Sequence, residues 1–257
     1  MEGVLMLKLS ELKRMALKEG VPQALVEKDY ALSAALKAIA ASELARHVVF
    51  KGGTAVRKAY FKEARFSEDL DFTVLGLERG ECLELLKETL ERKQIGDASF
   101  EKVEEERTPA GLKAAVKYEG PLAHAQRIRF DFNFRENIAE KPERRELFDI
   151  YGIGQAEMDV LSLEEIFAEK LHALGSRSAP RDLYDTWFLF SKGMEPHKEI
   201  VERKFAYYNQ KFDAKNAIEN ARKSRENWEW DLRQLVRKLP DFETLEREVE
   251  KRLEQIS

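Results

Sequence analysis

Over residues 8–19, and again over 23–41, apolar side chains recur every three or four positions, with a break at Gly20-Val21-Pro22. That is the period of a helix with one buried face, and it predicts two helices. HVVF, 47–50, is a short β-branched run ending at Gly52-Gly53 and predicts a strand. TAVRKAYF returns to helical character, with Thr54 placed to cap it. DLDFTVL, 69–75, reads as the next strand, and residues 78–93 as a third amphipathic helix. The period then falls to two. Residues 99–106, 112–118 and 127–134 alternate apolar with polar, between turn signals at Thr108-Pro109, Gly111 and Gly120-Pro121. After Gly154 no strand pattern stands out. LSLEEIFAEKLHALGSR predicts a helix, with Ser162 and Glu165 spaced for a capping box. RDLYDTWFLFSKG, 181–193, predicts another, ended by Gly193, and the remainder to Ser257 is helical in pattern. The expected fold class is α+β. A mixed sheet with flanking helices fills residues 1–155, and an all-helical half fills 156–257.

Composition narrows the class without choosing a function. The chain has 257 residues, enough for a sizeable core, and 43% of them are hydrophobic, which excludes a disordered chain. Charged residues reach 36% but net only −4, so a nucleic-acid partner, if there is one, must be met by local basic surface. The single cysteine, Cys82, excludes a disulfide framework or a cysteine-based zinc site within one chain. His47, His124, His172 and His197 are scattered without metal spacing and read as structural or surface groups. MEGVLMLKLSELKRM lacks an apolar core before a small-residue cleavage site, and no run approaches a membrane span. The expectation is a cytoplasmic protein with no membrane partner.

The chemistry concentrates in FKGGTAVRKAYFKEARFSEDLDF, 50–72. Asp69 and Asp71 stand two apart on a strand and so point the same way, with Leu70 and Phe72 turned to the core. Two carboxylates on one face suit a hard divalent cation that also takes substrate phosphates. RIRFDFNF, 127–134, sets Asp131 among Arg127, Arg129 and Asn133 on one face, with Ile128, Phe130, Phe132 and Phe134 on the other. Three converging carboxylates on two metals are the arrangement for in-line phosphoryl chemistry. Gly52 and Gly53, between strand and helix, let the backbone approach a phosphate, and Thr54 adds a hydroxyl. Alone, an acid-x-acid pair is commonly a solvated strand face, and a Gly-Gly-Thr is commonly a turn. In this order and at this spacing they point to a nucleotide site.

The strand, Gly-Gly-Thr, helix, Asp-x-Asp and later acid strand resemble the polymerase β-like nucleotidyltransferase superfamily. KGGTAVRKAY with RFSEDLDF is similar to the AbiEii/AbiGii toxin family of type IV toxin–antitoxin and abortive-infection systems, and EKDYALSAAL, 27–36, resembles that family's leader helix. The resemblance runs from about residue 20 to about 195. It implies a nucleotidyltransferase sheet in the N-terminal half and transfer of a nucleoside monophosphate from an NTP, releasing pyrophosphate. It implies Mg²⁺, with Mn²⁺ as the other ion such sites accept. Asp69, Asp71 and Asp131 become the metal and catalytic acids. Gly52, Gly53 and Thr54 hold the triphosphate, with Arg65 and Ser67 beside the acids as further nucleotide contacts, and Lys51 and Arg57 near enough to join them.

The helical half offers EIFAEKLHALGSRSAPRDLYDTWFL. Read alone, Lys170 is a surface lysine, and Arg181, Asp182 and Asp185 open a helix with a cap and an ion pair. The resemblance instead assigns Lys170 to nucleotide phosphates and Asp182 to positioning or deprotonating the acceptor, with Asp185 holding Arg181 or Lys170. It implies an RNA acceptor, the 3′ end of tRNA, and a functional antitoxin partner without a tight complex. Residues 204–238 interleave Lys and Arg with Tyr207, Tyr208, Trp228 and Trp230, which suits either RNA contact or ordinary helix packing. Two other readings share the motifs: a nucleotidyltransferase acting on an antibiotic-like small molecule, and a non-catalytic nucleotide-binding protein. The second sits poorly with three intact acids.

Overall fold

The computed structural model of the protein describes residues 7–106, 111–135 and 137–256. The chain divides into two compact units: Met1–Glu136 with Pro142–Leu161, and Asn137–Lys141 with Ser162–Ser257. The expected turn at Thr108-Pro109 and the first six residues of the leader reading lie outside the described residues.

The first unit holds an eight-stranded sheet. Its strands are β1 Val48–Lys51, β2 Asp69–Val74, β3 Gln94–Ile95, β4 Ala98–Glu106, β5 Leu112–Glu119, β6 Gln126–Asn133, β7 Glu143–Glu146 and β8 Glu157–Val160. Their order across the sheet is β3-β4-β5-β6-β2-β1-β8-β7. β2 runs parallel to β6, and β1 parallel to β8, while the other pairs are antiparallel. Alternation along β6 works as the pattern requires. Ile128, Phe130 and Phe132 are buried, whereas Arg127, Arg129, Asp131 and Asn133 keep solvent contact. Phe50, Phe72 and Phe132 share one register row. Their rings meet across three strands, Phe50 tilted on Phe72 and Phe72 stacked on Phe132, with centroids 5.5 and 5.2 Å apart. Each such pair adds about 0.5–1.5 kcal/mol beyond its area burial.

Helices α1 Leu9–Glu19, α2 Gln23–Ala40, α3 Gly52–Ala55 and α4 Arg79–Leu90 accompany the sheet, and α3 runs on as a π-helical turn over Val56–Tyr60. α1 ends at Gly20, whose left-handed backbone (φ 66°) returns its N–H to the carbonyls of Ala16 and Leu17. α2 carries two fully buried carboxylates, Glu27 and Asp29. Glu27 receives Leu122 N–H at 2.5 Å and Gln126 Nε2 at 2.6 Å, fixing the β5–β6 turn. Asp29 receives Lys58 Nζ and Tyr151 Oη, each at 2.7 Å, with Arg57 Nε at 3.4 Å. These bonds seat the π-helical turn against α2. Burial pushes the Asp29 carboxyl up, but the charges of Lys58 and Arg57 outweigh it and hold the group below its ordinary value. Burial brings Lys58 down to about 8 against the pull of Asp29, because two cations share one carboxylate.

The second unit is helical, with α5 Leu163–Ser176, α6 Pro180–Ser191, α7 Lys198–Tyr207, α8 Ala214–Lys223, α9 Trp228–Leu232 and α10 Phe242–Ile256. Ser162 caps α5, accepting from Glu165 N–H at 3.2 Å. The reciprocal half of the expected capping box is absent. Glu165 instead accepts from the N–H groups of Ala139 and Glu140 and pairs with buried Lys204 at 2.5 Å. Lys204 also donates to the Asn137 carbonyl, so the pair ties residues 137–141 to the helices. α6 begins with Pro180 at its first turn, where a missing N–H costs nothing. Among the described residues no helix is long and apolar enough to cross a membrane.

Three local expectations are corrected. Lys51, not Thr54, occupies the cap of α3, and Thr54 lies inside the helix. Arg57 is buried and not turned to a phosphate: it stacks 3.7 Å over Phe66 and donates to the carbonyls of Lys62 and Ala64. Strands do follow the β4–β6 meander. β7 and β8 extend the sheet beyond β1, and β8 pairs at Phe50↔Val160.

Candidate active site

The polar face of the central strands carries the predicted acids. Asp71 lies opposite Asp131 on the parallel neighbour β6, and Asp69 lies opposite Arg129. On the other side of β2, Lys51 faces Asp71, and beyond β6, Lys113 faces Asp131. One row therefore reads Lys51, Asp71, Asp131, Lys113 across β1, β2, β6 and β5. The adjacent row, turned the other way, is Phe50, Phe72, Phe132 and Leu112. The apolar row makes the register costly to slip, since one residue of shift would exchange the two faces. Core packing thus holds the acids side by side.

Gly52 sits where β1 turns into α3. Its φ is +77°, and a Cβ built there would lie 2.2 Å from Asp71 Oδ2. Only glycine allows both that backbone and that approach. Thr54 is fully buried, and its hydroxyl donates to the Asp69 carbonyl at 2.5 Å. Thr54 therefore braces the strand that bears the acids. Arg65 is buried, with Nη1 donating to the Phe66 carbonyl at 3.0 Å, and Ser67 is half-buried just ahead of β2.

Gly52→Ala should lose the activity of this site by at least about tenfold and cost about 1–2 kcal/mol of backbone strain. Gly76 separates the two effects. It too has positive φ (+65°) but nothing within 4 Å of a Cβ. Gly76→Ala should lower Tm similarly and leave activity intact. Equal activity in both variants would show that Asp71 tolerates the extra methyl.

In the helical unit, Lys170 on α5 meets two acids of α6. Its ammonium is 2.8 Å from Asp185 Oδ2 and 3.5 Å from Asp182 Oδ1. Asp182 Oδ2 is taken by Arg177 Nε at 2.7 Å. The i, i+3 spacing of the acids puts both on one face of α6, as their sequence suggests. Both oxygens of Asp182 face cations. The aromatic and basic stretch at 204–238 divides. Lys204 and Trp228 are interior, with the Trp228 indole donating to the Pro240 carbonyl. Tyr207, Tyr208 and Trp230 are exposed, Trp230 by 86%. Arg222, Arg225 and Arg233 pair with glutamates, while Lys211, Lys215, Arg237 and Lys238 lie exposed.

The sequence profile of the nucleotidyl transferase AbiEii toxin family, type IV toxin–antitoxin system, matches residues 34–254. The chain belongs to the AbiEii family. The match begins inside EKDYALSAAL and continues through the last sixty residues, so the family likeness reaches further toward the C-terminus than the motifs alone suggest. MenT4, a nucleotidyltransferase toxin from Mycobacterium tuberculosis, superposes with a TM-score of 0.75 at 21% identity, covering 96% of this chain and 88% of MenT4. That likeness establishes the fold. An antigenic nucleotidyltransferase-like protein from Paracoccidioides brasiliensis aligns over 82% of this chain and 94% of its own, with a TM-score of 0.47 and 17% identity. No curated protein sequence matches the chain significantly. As an AbiEii toxin, the protein is a nucleotidyltransferase. The family implies an NTP substrate, a divalent metal and an antitoxin partner.

The donor set fits such a metal. Asp69 and Asp71 offer hard carboxylate oxygens on one strand face beside a glycine turn, as a cation shared with substrate phosphates requires. Asp131 is in register but turned aside, its Oδ2 lying 3.2 Å from Lys113 Nζ. Among the described residues no three acids or histidines are gathered closely enough to hold a metal by themselves. Sequence reading missed Lys113, and it missed Glu27 and Asp29. EKDY signalled a family helix, but a charge inside a helical pattern ordinarily reads as surface.

Proposed function

We propose that this AbiEii protein transfers a nucleoside monophosphate from an NTP to an RNA acceptor, the 3′ end of tRNA, using Mg²⁺. The observation that carries the reading is Asp71, flanked by Asp69 on its own strand and by Asp131 in register, beside the left-handed Gly52. Asp69 and Asp71 would hold the cation, with Asp131 completing the set once it leaves Lys113. When bound, the cation supplies the positive charge that offsets the triphosphate and the departing pyrophosphate. The Gly52-Gly53 backbone, free of side chains, receives the phosphates, with Arg65 and Ser67 next to the acids. We assign phosphate binding in the helical unit to Lys170, oriented by Asp182 and Asp185. Asp182, now paired with Lys170 and Arg177, would position or deprotonate the acceptor once substrate phosphates draw Lys170 away. Exposed Tyr207, Tyr208 and Trp230, near exposed lysines in the sequence, support an RNA acceptor, since aromatic faces stack on unpaired bases.

The deciding experiment is a labelling reaction with total tRNA, each α-³²P-NTP in turn, and Mg²⁺. Label entering RNA establishes transfer, acceptor class and preferred base together. Absence of label from all four NTPs overturns the tRNA reading. In the same assay Lys170→Met should transfer about 10²–10³-fold more slowly, the usual cost of removing one donor that faces developing charge. A folded Lys170→Met that transfers at the normal rate would leave Lys170 with no role beyond its ion pairs.

A further inference from the structure

We propose that Lys113 is a positioning residue that competes with the divalent cation for the Asp131 carboxylate. The inference rests on the metal reading above and goes beyond it, since neither the motifs nor the family match points to β5. Asp71 and Asp131 stand directly opposite on neighbouring strands. Like charges in that relation destabilise a sheet. The two carboxylates are drawn apart along their row. Asp71 Oδ2 presses on Gly52, where any Cβ would meet it at 2.2 Å. Asp131 Oδ2 turns the opposite way, to Lys113 Nζ at 3.2 Å.

Lys113 is directly opposite Asp131 in the β5–β6 register, so its position is set by the sheet and not by a loop. Its side chain is 47% exposed and that of Asp131 42%, so the pair is solvated and exchangeable. The ammonium is thus a stand-in counter-ion for the third acid. It relieves the Asp71–Asp131 repulsion while no cation is bound, and it must give up the carboxylate when one arrives. Metal binding then carries the cost of breaking this ion pair, and the third acid joins only when a cation, with its nucleotide, outbids a lysine. The device would keep the site weakly loaded by metal alone.

Mn²⁺ binding to the full chain, read by the loss of free-ion paramagnetic resonance without nucleotide, tests this. Lys113→Met should bind Mn²⁺ about two- to fivefold more tightly, the range expected for a solvated ion pair. Lys113→Arg, which keeps the charge, should match the wild type. Lys117→Met, which removes a cation four residues along the same strand, should also leave affinity unchanged. Equal or weaker Mn²⁺ binding by folded Lys113→Met, against a wild type that binds, overturns the competition and leaves the metal reading standing. A folded wild type that binds no Mn²⁺, indistinguishable from Asp71→Ala, overturns both. Tightening by Lys113→Met and Lys117→Met alike would show a general surface-charge effect and overturn the specific role.

Discussion

Asp71→Ala will fold normally and lose at least about 10³-fold in nucleotidyl transfer, since a metal supplies several kcal/mol of charge stabilisation and each 1.36 kcal/mol is tenfold in rate. Asp71 is the acid with a neighbour on every side: Asp69 two residues back, Asp131 across β6, Lys51 across β1 and Gly52 against its carboxylate. Asp71 is only half-buried, and the buried apolar residues of its strand, Leu70, Phe72 and Val74, lie on the other face. Removing one of two adjacent acids also relieves repulsion, so the thermal midpoint should hold or rise slightly. That combination separates a catalytic acid from a structural one. A single-turnover transfer assay beside a melting curve checks it. Transfer within tenfold of wild type would mean that the carboxylate row is not the metal site. Asp69→Ala should behave alike in rate. Its effect on stability should be small too, because the Thr54 bond goes to the Asp69 main chain and survives the substitution.

The central strands were legible because each does two things at once. DLDF and RFDF alternate acids with phenylalanines, and the Phe50–Phe72–Phe132 row confirms which face is core. β7 was illegible for the opposite reason. ERRE has no apolar residue, and as the edge strand next to β8 it contributes backbone hydrogen bonds and charge, the usual composition of a protected edge. β8, EMDV, does alternate, but four residues are too few to separate a strand from a loop, and its pairing partner β1 lies over a hundred residues earlier. Thr54 misled because a threonine after two glycines looks like a cap. Its hydroxyl found a carbonyl on β2, a contact no local rule contains. Lys170 and the acids of α6 were legible as a group only through the family resemblance. Their spacing fits a shared helix face, but the meeting of α5 with α6 is tertiary.

Asp29→Asn should cost about 3–5 kcal/mol, the usual penalty for stripping one partner from a buried ion pair. For a unit of this size that lowers Tm by about 10 °C. The substitution keeps the shape and removes the carboxylate that pairs with both Lys58 and Arg57, leaving two cations facing each other under α2. Tyr151, whose hydroxyl burial and the Asp29 charge keep protonated well above its ordinary range, loses a charged acceptor for a neutral one. The pH dependence identifies the mechanism. In the wild type, folding lowers the Asp29 pKa below 3.8. The folded state then binds fewer protons than the unfolded one, so this stability is complete above about pH 4 and drains as pH falls through the lowered value. In Asp29→Asn that acid limb disappears. Lys58, already down to about 8 with its partner, drops further without it. Its folded pKa then lies further below that of the unfolded chain, so the mutant regains stability at a lower pH than the wild type does; its deficit is widest in mildly acid solution, narrows as pH rises toward 8, and is constant above that. Urea melts of wild type and mutant from pH 5 to 9 would show this convergence. Parallel curves across that range would mean that the lost stability is packing or hydrogen bonding, and that Lys58 and Arg57 find other counter-charges when Asp29 is neutral.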